Sequence, residues 1–263
     1  MKQLHRAVRQ NRMGGRPLPS VFQAFADEKI LFRRSEVSML AGPAGAGKSL
    51  LALWHGLVWA RDHSLHGLYL SADSAELGQA ARALAMHANN LTVTEAETLL
   101  KRADKWAVEQ MQELRNLAWS FDDDLTYENI AEEVEAYVEL WGTPPDFIIV
   151  DNLTDVEGQS EDEWATQRRA LKALVQLARS TDAMVLVLHH TTEDPKYQGD
   201  PCPPRNAIMG RCAQKPALIL TTADKGKSRP VACVKNRFGW SDKGGYTATW
   251  LHFNQNTMHF DEW

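Results

Sequence analysis

Eight consecutive residues carry the clearest chemistry in the chain: Gly42, Pro43, Ala44, Gly45, Ala46, Gly47, Lys48 and Ser49. They fit G-x-x-x-x-G-K-[ST] at every fixed position. Glycines let successive backbone N–H groups turn inward around phosphate oxygens. The N-terminus of a following helix adds partial positive charge. Lys48 is expected to reach the β- and γ-phosphates of a nucleotide, and Ser49 to ligate Mg²⁺. A carboxylate is expected at the end of a neighbouring strand to orient the magnesium's water shell, and Asp151, closing the apolar run Phe147–Val150, fits. Asp73 follows another short apolar run, Gly67–Ser71. A carboxylate just past a strand beside the phosphate loop suits a general base, although Asp also suits a helix N-cap there. The triplet Asp122-Asp123-Asp124 reads as a solvated loop before a helix.

The elements that must position these groups follow from periodicity. Strands are expected at Val37–Ala41, Gly67–Ser71, Leu117–Phe121, Phe147–Val150, Ala183–Leu188, Ala217–Thr221, Pro230–Lys235 and Thr247–Phe253. Continuous apolar strands suit a parallel sheet buried on both faces. Helices are expected at Lys48–Arg61, Ala75–His87, across residues 92–116, from the Thr126 N-cap to about Leu140, and from the Ser160/Glu163 capping box to about Arg179. Strands alternating with helices give an α/β fold with a mainly parallel sheet, and the last strands read as an antiparallel addition. Residues 1–34 read as a basic arm or linker, with a short helix near Leu4–Val8, and residues 35–263 as the main domain.

Composition bounds the alternatives. The 263 residues carry 29 basic and 34 acidic side chains, a net charge of −5, which argues against a general nucleic-acid sponge. The charge is segregated, however. Residues 1–34 hold eight basic side chains, residues 121–163 fifteen acidic and no Lys or Arg, and residues 196–243 ten basic. Such blocks suggest oriented partners or subunits meeting head to tail. Three cysteines without a CxxC pair argue against a disulfide framework or a zinc site and for a reducing, intracellular (cytoplasmic) setting. No secretory signal and no apolar run of membrane-spanning length is present, so no membrane partner is expected.

The order of these blocks, over about residues 35–263, resembles the RecA-like ATPase core of DnaB-type hexameric replicative helicases and the smaller RepA-type helicases. The resemblance rests on the phosphate loop and on Gly67-Leu68-Tyr69-Leu70-Ser71-Ala72-Asp73. It rests also on Pro145–Asp151, on Leu188-His189-His190-Thr191, and above all on Val234-Lys235-Asn236-Arg237-Phe238-Gly239, which is similar to that family's K-x-R-x-G segment. It implies that Asp73 polarises the attacking water, where the family has the longer Glu. His190, with His189 second, would sense the γ-phosphate, and Lys235 and Arg237 would act in trans on a neighbour's nucleotide. Two cations two residues apart on a strand share a face, as such a pair must.

The resemblance further implies ATP and Mg²⁺ as cofactors, a homo-oligomer that is most simply a hexameric ring, single-stranded DNA as a partner, and other replication proteins as possible ones. The loop after the Asp151 strand carries Asp155, Glu157, Glu161 and Asp162 and would repel DNA. The loop after the His190 strand offers Lys196, Tyr197, Arg205 and Arg211, basic groups with an aromatic that suit single-strand binding. The expected function is an ATP-dependent DNA helicase or translocase motor, phage- or plasmid-encoded and without the N-terminal domain of DnaB. The alternatives are a RecA-like recombinase or strand-annealing ATPase, and a low-turnover nucleotide-binding regulator or loader.

Overall fold

The computed structural model describes residues 15–72, 74–122, 125–153, 156, 163–197 and 199–262. Its strands are β1 (Val37–Gly42), β2 (Gly67–Ser71), β3 (Leu117–Ser120), β4 (Phe147–Asp151), β5 (Met184–His190), β6 (Leu218–Thr222), β7 (Ser228–Asn236), β8 (Thr249–Asn254) and β9 (His259–Glu262). They form one sheet in the order β3-β2-β4-β5-β1-β6-β7-β8-β9. The pairs from β3 to β6 are parallel, and those from β6 to β9 antiparallel. The expected α/β class and the antiparallel addition are both present. In the parallel half the strand burial is nearly complete, as continuous apolar sequences require.

The helices are α1 (Gln23–Asp27), α2 (Lys48–Asp62), α3 (Glu76–Ala88), α4 (Val93–Lys101), α5 (Lys105–Glu113), α6 (Tyr127–Trp141) and α7 (Glu163–Thr181). The sheet separates two cores. One lies on the α2 face and includes Leu51, Leu57, Tyr69, Phe147, Ile149, Leu186 and Leu188. The other lies on the face of α6 and α7 and includes Met39, Ile130, Val134, Val150, Leu171, Leu174 and Val187. Alternation along β5 therefore sends 186 and 188 to one face and 185 and 187 to the other.

Helix α2 is apolar almost all round, and eleven of its fifteen residues are buried. A helix of that kind needs cover on both sides. The sheet supplies one cover. The other is the segment Leu18–Phe32, whose Leu18, Phe22, Phe25, Ile30 and Phe32 are buried against α2, with Phe260 of β9 in the same core. The Trp59 indole donates to the Pro19 carbonyl at 2.9 Å and pins this segment down. The part of the expected linker from Leu18 to Phe32 is thus core, because its apolar residues are what closes the exposed side of α2. Residues 1–14, with Lys2, Arg6, Arg9, Arg12 and the expected Leu4–Val8 helix, lie outside the described residues.

The stretch 92–116, helical in composition, forms two helices. Ala103 takes φ +50°, which ends α4. Asp104 then caps α5 by accepting from Trp106 N and Ala107 N. Thr92 and Glu95 form a full capping box at the start of α4. Thr126 caps α6 as expected, accepting from Asn129 N at 3.1 Å, and Gly142 at φ +74° ends it. Ser160, the expected cap of α7, is outside the described residues. The three cysteines are buried free thiols, and among the described residues no helix is long and apolar enough to cross a membrane.

His55 of α2 is enclosed by Phe22, Phe25, Phe32 and Trp59. Its Nδ1 faces the Leu51 carbonyl at 2.7 Å, and burial pushes its pKa down to about 4. In the unfolded chain the imidazole titrates near 6.5, so between pH 6.5 and 4 the unfolded state binds more protons. Stability is therefore expected to fall as pH drops through that window. Thermal midpoints between pH 7 and 4.5 check this, and the His55→Leu variant is expected to show a shallower decline.

Candidate nucleotide site

The phosphate loop runs from the end of β1 into α2, and its turn needs two left-handed glycines, Gly45 at φ +73° and Gly47 at φ +83°. Gly42 is required for a different reason. A Cβ there would lie 2.6 Å from the Thr222 carbonyl oxygen at the end of β6. Lys48 folds back over the loop and donates to the Gly42 and Pro43 carbonyls at 3.1 and 2.9 Å. It is only 7 % exposed. Burial pushes its pKa down, while Asp151 and Glu193 oppose that shift. An anion entering the loop gives this ammonium a better partner than two carbonyls.

Asp151 ends β4 beside the first turn of α2. Its Oδ1 accepts from the Ser49 hydroxyl at 3.1 Å, and its Oδ2 from the Tyr69 hydroxyl at 2.8 Å. Hard oxygen donors of this kind suit Mg²⁺. Ser49 and Asp151 are the residues able to hold a divalent cation next to the phosphates. Tyr69 is a site residue that the sequence reading passed over. It is fully buried in β2, one strand from Asp151. Burial and the Asp151 carboxylate push its pKa well up, so the phenol stays protonated and donates. Its one signal in the sequence is a hydroxyl-bearing aromatic in an otherwise apolar strand.

The two histidines at the end of β5 are separated by strand alternation. His190 pairs in register with Gly42 at the start of the loop, on the α2 face. His189 faces the other way and is fully buried, and its Nε2 donates to the Met209 carbonyl at 3.1 Å. Burial pushes its pKa down to about 4, so it is neutral at pH 7. The choice of His190 over His189 as the residue nearer the phosphate loop thus has a geometric basis. Asp73 lies outside the described residues. Its neighbour Glu76 is exposed in the first turn of α3.

Lys235 and Arg237 sit at the far end of β7. Lys235 donates to the Ala213 and Gln214 carbonyls, both at 2.9 Å, and Arg237 to Glu36 Oε2 and the Lys215 carbonyl, both at 3.2 Å. Both cations therefore meet the segment 213–215, at the edge of the sheet opposite the phosphate loop. The other end of β7, at Arg229, touches Gly47. The six residue steps from Arg229 to Lys235 span about 20 Å of strand. Burial pushes Lys235 down to about 8, helped by Arg237 and Arg205.

The four loop candidates are not brought together. Lys196 is exposed, pairs with Asp194 and lies over the Tyr197 ring. Tyr197 lines a cleft of about 410 Å³ above the phosphate loop, opposite Asp224 and Lys225. Arg205 lies near Lys235. Arg211 lines a separate groove with Trp164 and Arg168. There a Cβ on Gly210 would strike the Trp164 ring at 2.5 Å, and Arg168 donates to the Gly210 carbonyl at 3.1 Å. Loop length separated these residues, and only packing shows which of them share a surface. Of the acidic loop after β4, Asp155, Glu157, Glu161 and Asp162 lie outside the described residues.

A family model described as an AAA domain matches residues 28–196, more than half of the chain. The chain belongs to the AAA domain family. With its phosphate loop intact, this AAA-domain chain is a P-loop ATPase. It is also similar to two phage proteins. It is 27% identical to the Gene 65 protein of Mycobacterium phage L5 over 256 residues, 94% of each chain. It is 27% identical to the Gene 65 protein of Mycobacterium phage D29 over 234 residues, 86% of this chain and 98% of that one. Among solved structures, one described as an ATPase domain matches with a TM-score of 0.78 and 15% identity, covering 99% of this chain and 96% of that one. A DnaB-like replicative helicase, described with its primase interactions, matches with the same score and identity, covering 99% and 65%. The expected RecA-like core of DnaB-type helicases is therefore the fold of this chain.

Tyr69→Phe keeps the packing and removes the hydroxyl that orients Asp151. It is expected to lower the apparent Mg²⁺ affinity in nucleotide binding by about tenfold, as loss of an outer partner of a metal ligand does. Titrating Mg²⁺ at fixed nucleotide checks this, and Lys48→Ala serves as the control that removes phosphate binding itself.

Proposed function

We propose that this chain is an ATP-driven DNA helicase or translocase motor of the DnaB/RepA type, working as a ring, most simply a hexamer, in DNA replication. The observation that carries the reading is the position of Lys235 and Arg237, a strand's length from their own phosphate loop. Such cations serve a nucleotide only if it belongs to another copy of the chain. The likeness in fold to the solved ATPase domain and to the DnaB-like helicase supports the same arrangement.

In this reading ATP lies in Gly42–Ser49, with its phosphates held by the loop amides and Lys48. Ser49 and Asp151 would hold Mg²⁺, which would supply charge neutralisation at the phosphates. Tyr69 keeps Asp151 in place, Asp73 positions the attacking water, and His190 senses the γ-phosphate at the loop. Lys235 and Arg237 of the neighbouring copy stabilise charge on the transferring phosphoryl group. For single-stranded DNA, the groove lined by Trp164, Arg168 and Arg211 is the best-supported surface, since it combines two guanidinium groups with an aromatic face. Lys196, already paired with Asp194, contributes less. Tyr197 contributes through the cleft above the phosphate loop, and Arg205 from beside Lys235. The phage relatives make a phage-encoded protein the simplest source.

Three measurements test the proposal. Arg237→Ala is expected to keep nucleotide binding and lose ATPase activity on the order of 10³-fold. Mixing it with the equally inactive Lys48→Ala chain is expected to restore part of the activity, because each copy supplies what the other lacks. No restoration, together with a particle mass that stays monomeric in ATP, would sink the ring. Single-stranded DNA is expected to stimulate the wild-type ATPase, and Arg168→Ala/Arg211→Ala to lower both the stimulation and its salt slope. Finally, a Lys235 ammonium near pKa 8 loses its proton as pH rises past 8. The kcat/KM for ATP is expected to decline there in the wild type and to stay flat in Lys235→Arg.

A further inference from the structure

Arg229 opens β7 directly behind the phosphate loop. Its side chain is 5 % exposed. The guanidinium lies over the Phe253 ring, 4.6 Å from its centroid. Its Nη1 donates to Asp224 Oδ1 at 2.7 Å and to the Gly226 and Ser228 carbonyls at 2.5 and 3.1 Å. Its Nε reaches no acceptor among the described residues and faces Gly47. A Cβ on Gly47 would lie 3.1 Å from that Nε and 3.6 Å from Cδ. Gly47 is the N-cap of α2, so a buried guanidinium backs onto the positive end of a helix whose next residue is Lys48. Three positive features converge on one turn. Asp224, the carboxylate paired with Arg229, is half exposed and stands at the rim of the cleft above the loop.

This arrangement has a cost that packing does not explain. Burial disfavours the charged guanidinium, and Asp224 offsets this only in part. A methionine side chain would fill the same space against Phe253 without bringing charge to a positive helix end. The group that repays the charge is an anion on the other side of Gly47. We propose that Arg229 is a positioning residue of the nucleotide site, acting through Gly47: it holds the left-handed turn before Lys48 and adds a buried positive charge behind the bound phosphates. The proposal rests on nucleotide binding by the loop and is independent of the ring and of DNA.

The test measures Mg·ATP and Mg·ADP affinity, and the thermal midpoint without nucleotide, for the wild type, Arg229→Met, Arg229→Lys and Lys48→Ala. Wild-type binding that Lys48→Ala abolishes establishes the loop. If the wild type itself binds neither nucleotide, the nucleotide reading fails, and this proposal with it. Given wild-type binding, Arg229→Met is expected to leave the nucleotide-free midpoint unchanged or higher and to weaken ATP about tenfold, with a smaller effect on the less charged ADP. Arg229→Lys is expected to recover most of the ATP affinity lost in Arg229→Met, since it keeps the positive charge although it loses the stacking on Phe253. A folded Arg229→Met chain with wild-type ATP affinity would overturn the proposal. So would equal losses for ATP and ADP, or a folded Arg229→Lys chain as impaired as Arg229→Met. An Arg229→Met chain that does not fold would overturn it too, because the charge would then serve the core and not the loop.

Discussion

The structure depends on the burial of α2. The phosphate loop works only if its amides converge on one point, and that requires the helix following it to be held without play. Helix α2 is held from all sides: by the parallel strands on one face and by Leu18–Phe32 and Phe260 on the other. Interiors packed this closely do not deform gradually. The helix N-terminus, Gly47 and Lys48 are therefore set by contacts far from any phosphate.

Electrostatics at that helix end is unbalanced in the free protein. Lys48 leans on two carbonyls, and Arg229 backs onto Gly47 with one donor unused among the described residues. Other buried polar atoms at the C-terminal ends of the strands have no partner among the described residues, including Ser71 Oγ, Thr221 Oγ1 and Thr222 Oγ1. Asp151, by contrast, is fixed by Ser49 and Tyr69. A sheet edge with ordered acceptors at the metal position and unmet donors around the loop is arranged for an anion accompanied by a divalent cation.

Strand β7 joins two regions that the sequence lists only as neighbours. One end carries Arg229 against the chain's own phosphate loop, and the other carries Lys235 and Arg237 against residues 213–215. β7 pairs with β8 over Ser228–Val231 and with β6 over Val231–Asn236, so the Arg229 end and the Lys235 end are anchored to different neighbouring strands. The proposed ring would place this one strand between successive nucleotide sites.

Much of this was legible in the sequence. The phosphate loop, Asp151, the alternation of apolar strands with helices and the Thr126 cap all depend on local rules: glycine backbone freedom, periodicity and side-chain capping. The break at Ala103–Asp104 is not legible in the sequence, because composition alone does not reveal one left-handed residue. The linker reading of residues 18–32 failed because the value of their apolar residues depends on a helix that must be covered. Tertiary structure alone decided which of His189 and His190 faces the loop, that Tyr69 meets Asp151 and Arg229 backs onto Gly47, and that Lys196, Tyr197, Arg205 and Arg211 occupy different surroundings. The sequence by itself determined which groups the chain can offer to a phosphate. Their partners come from strands distant along the chain, and only the register of the sheet brings those strands within hydrogen-bonding distance of one another.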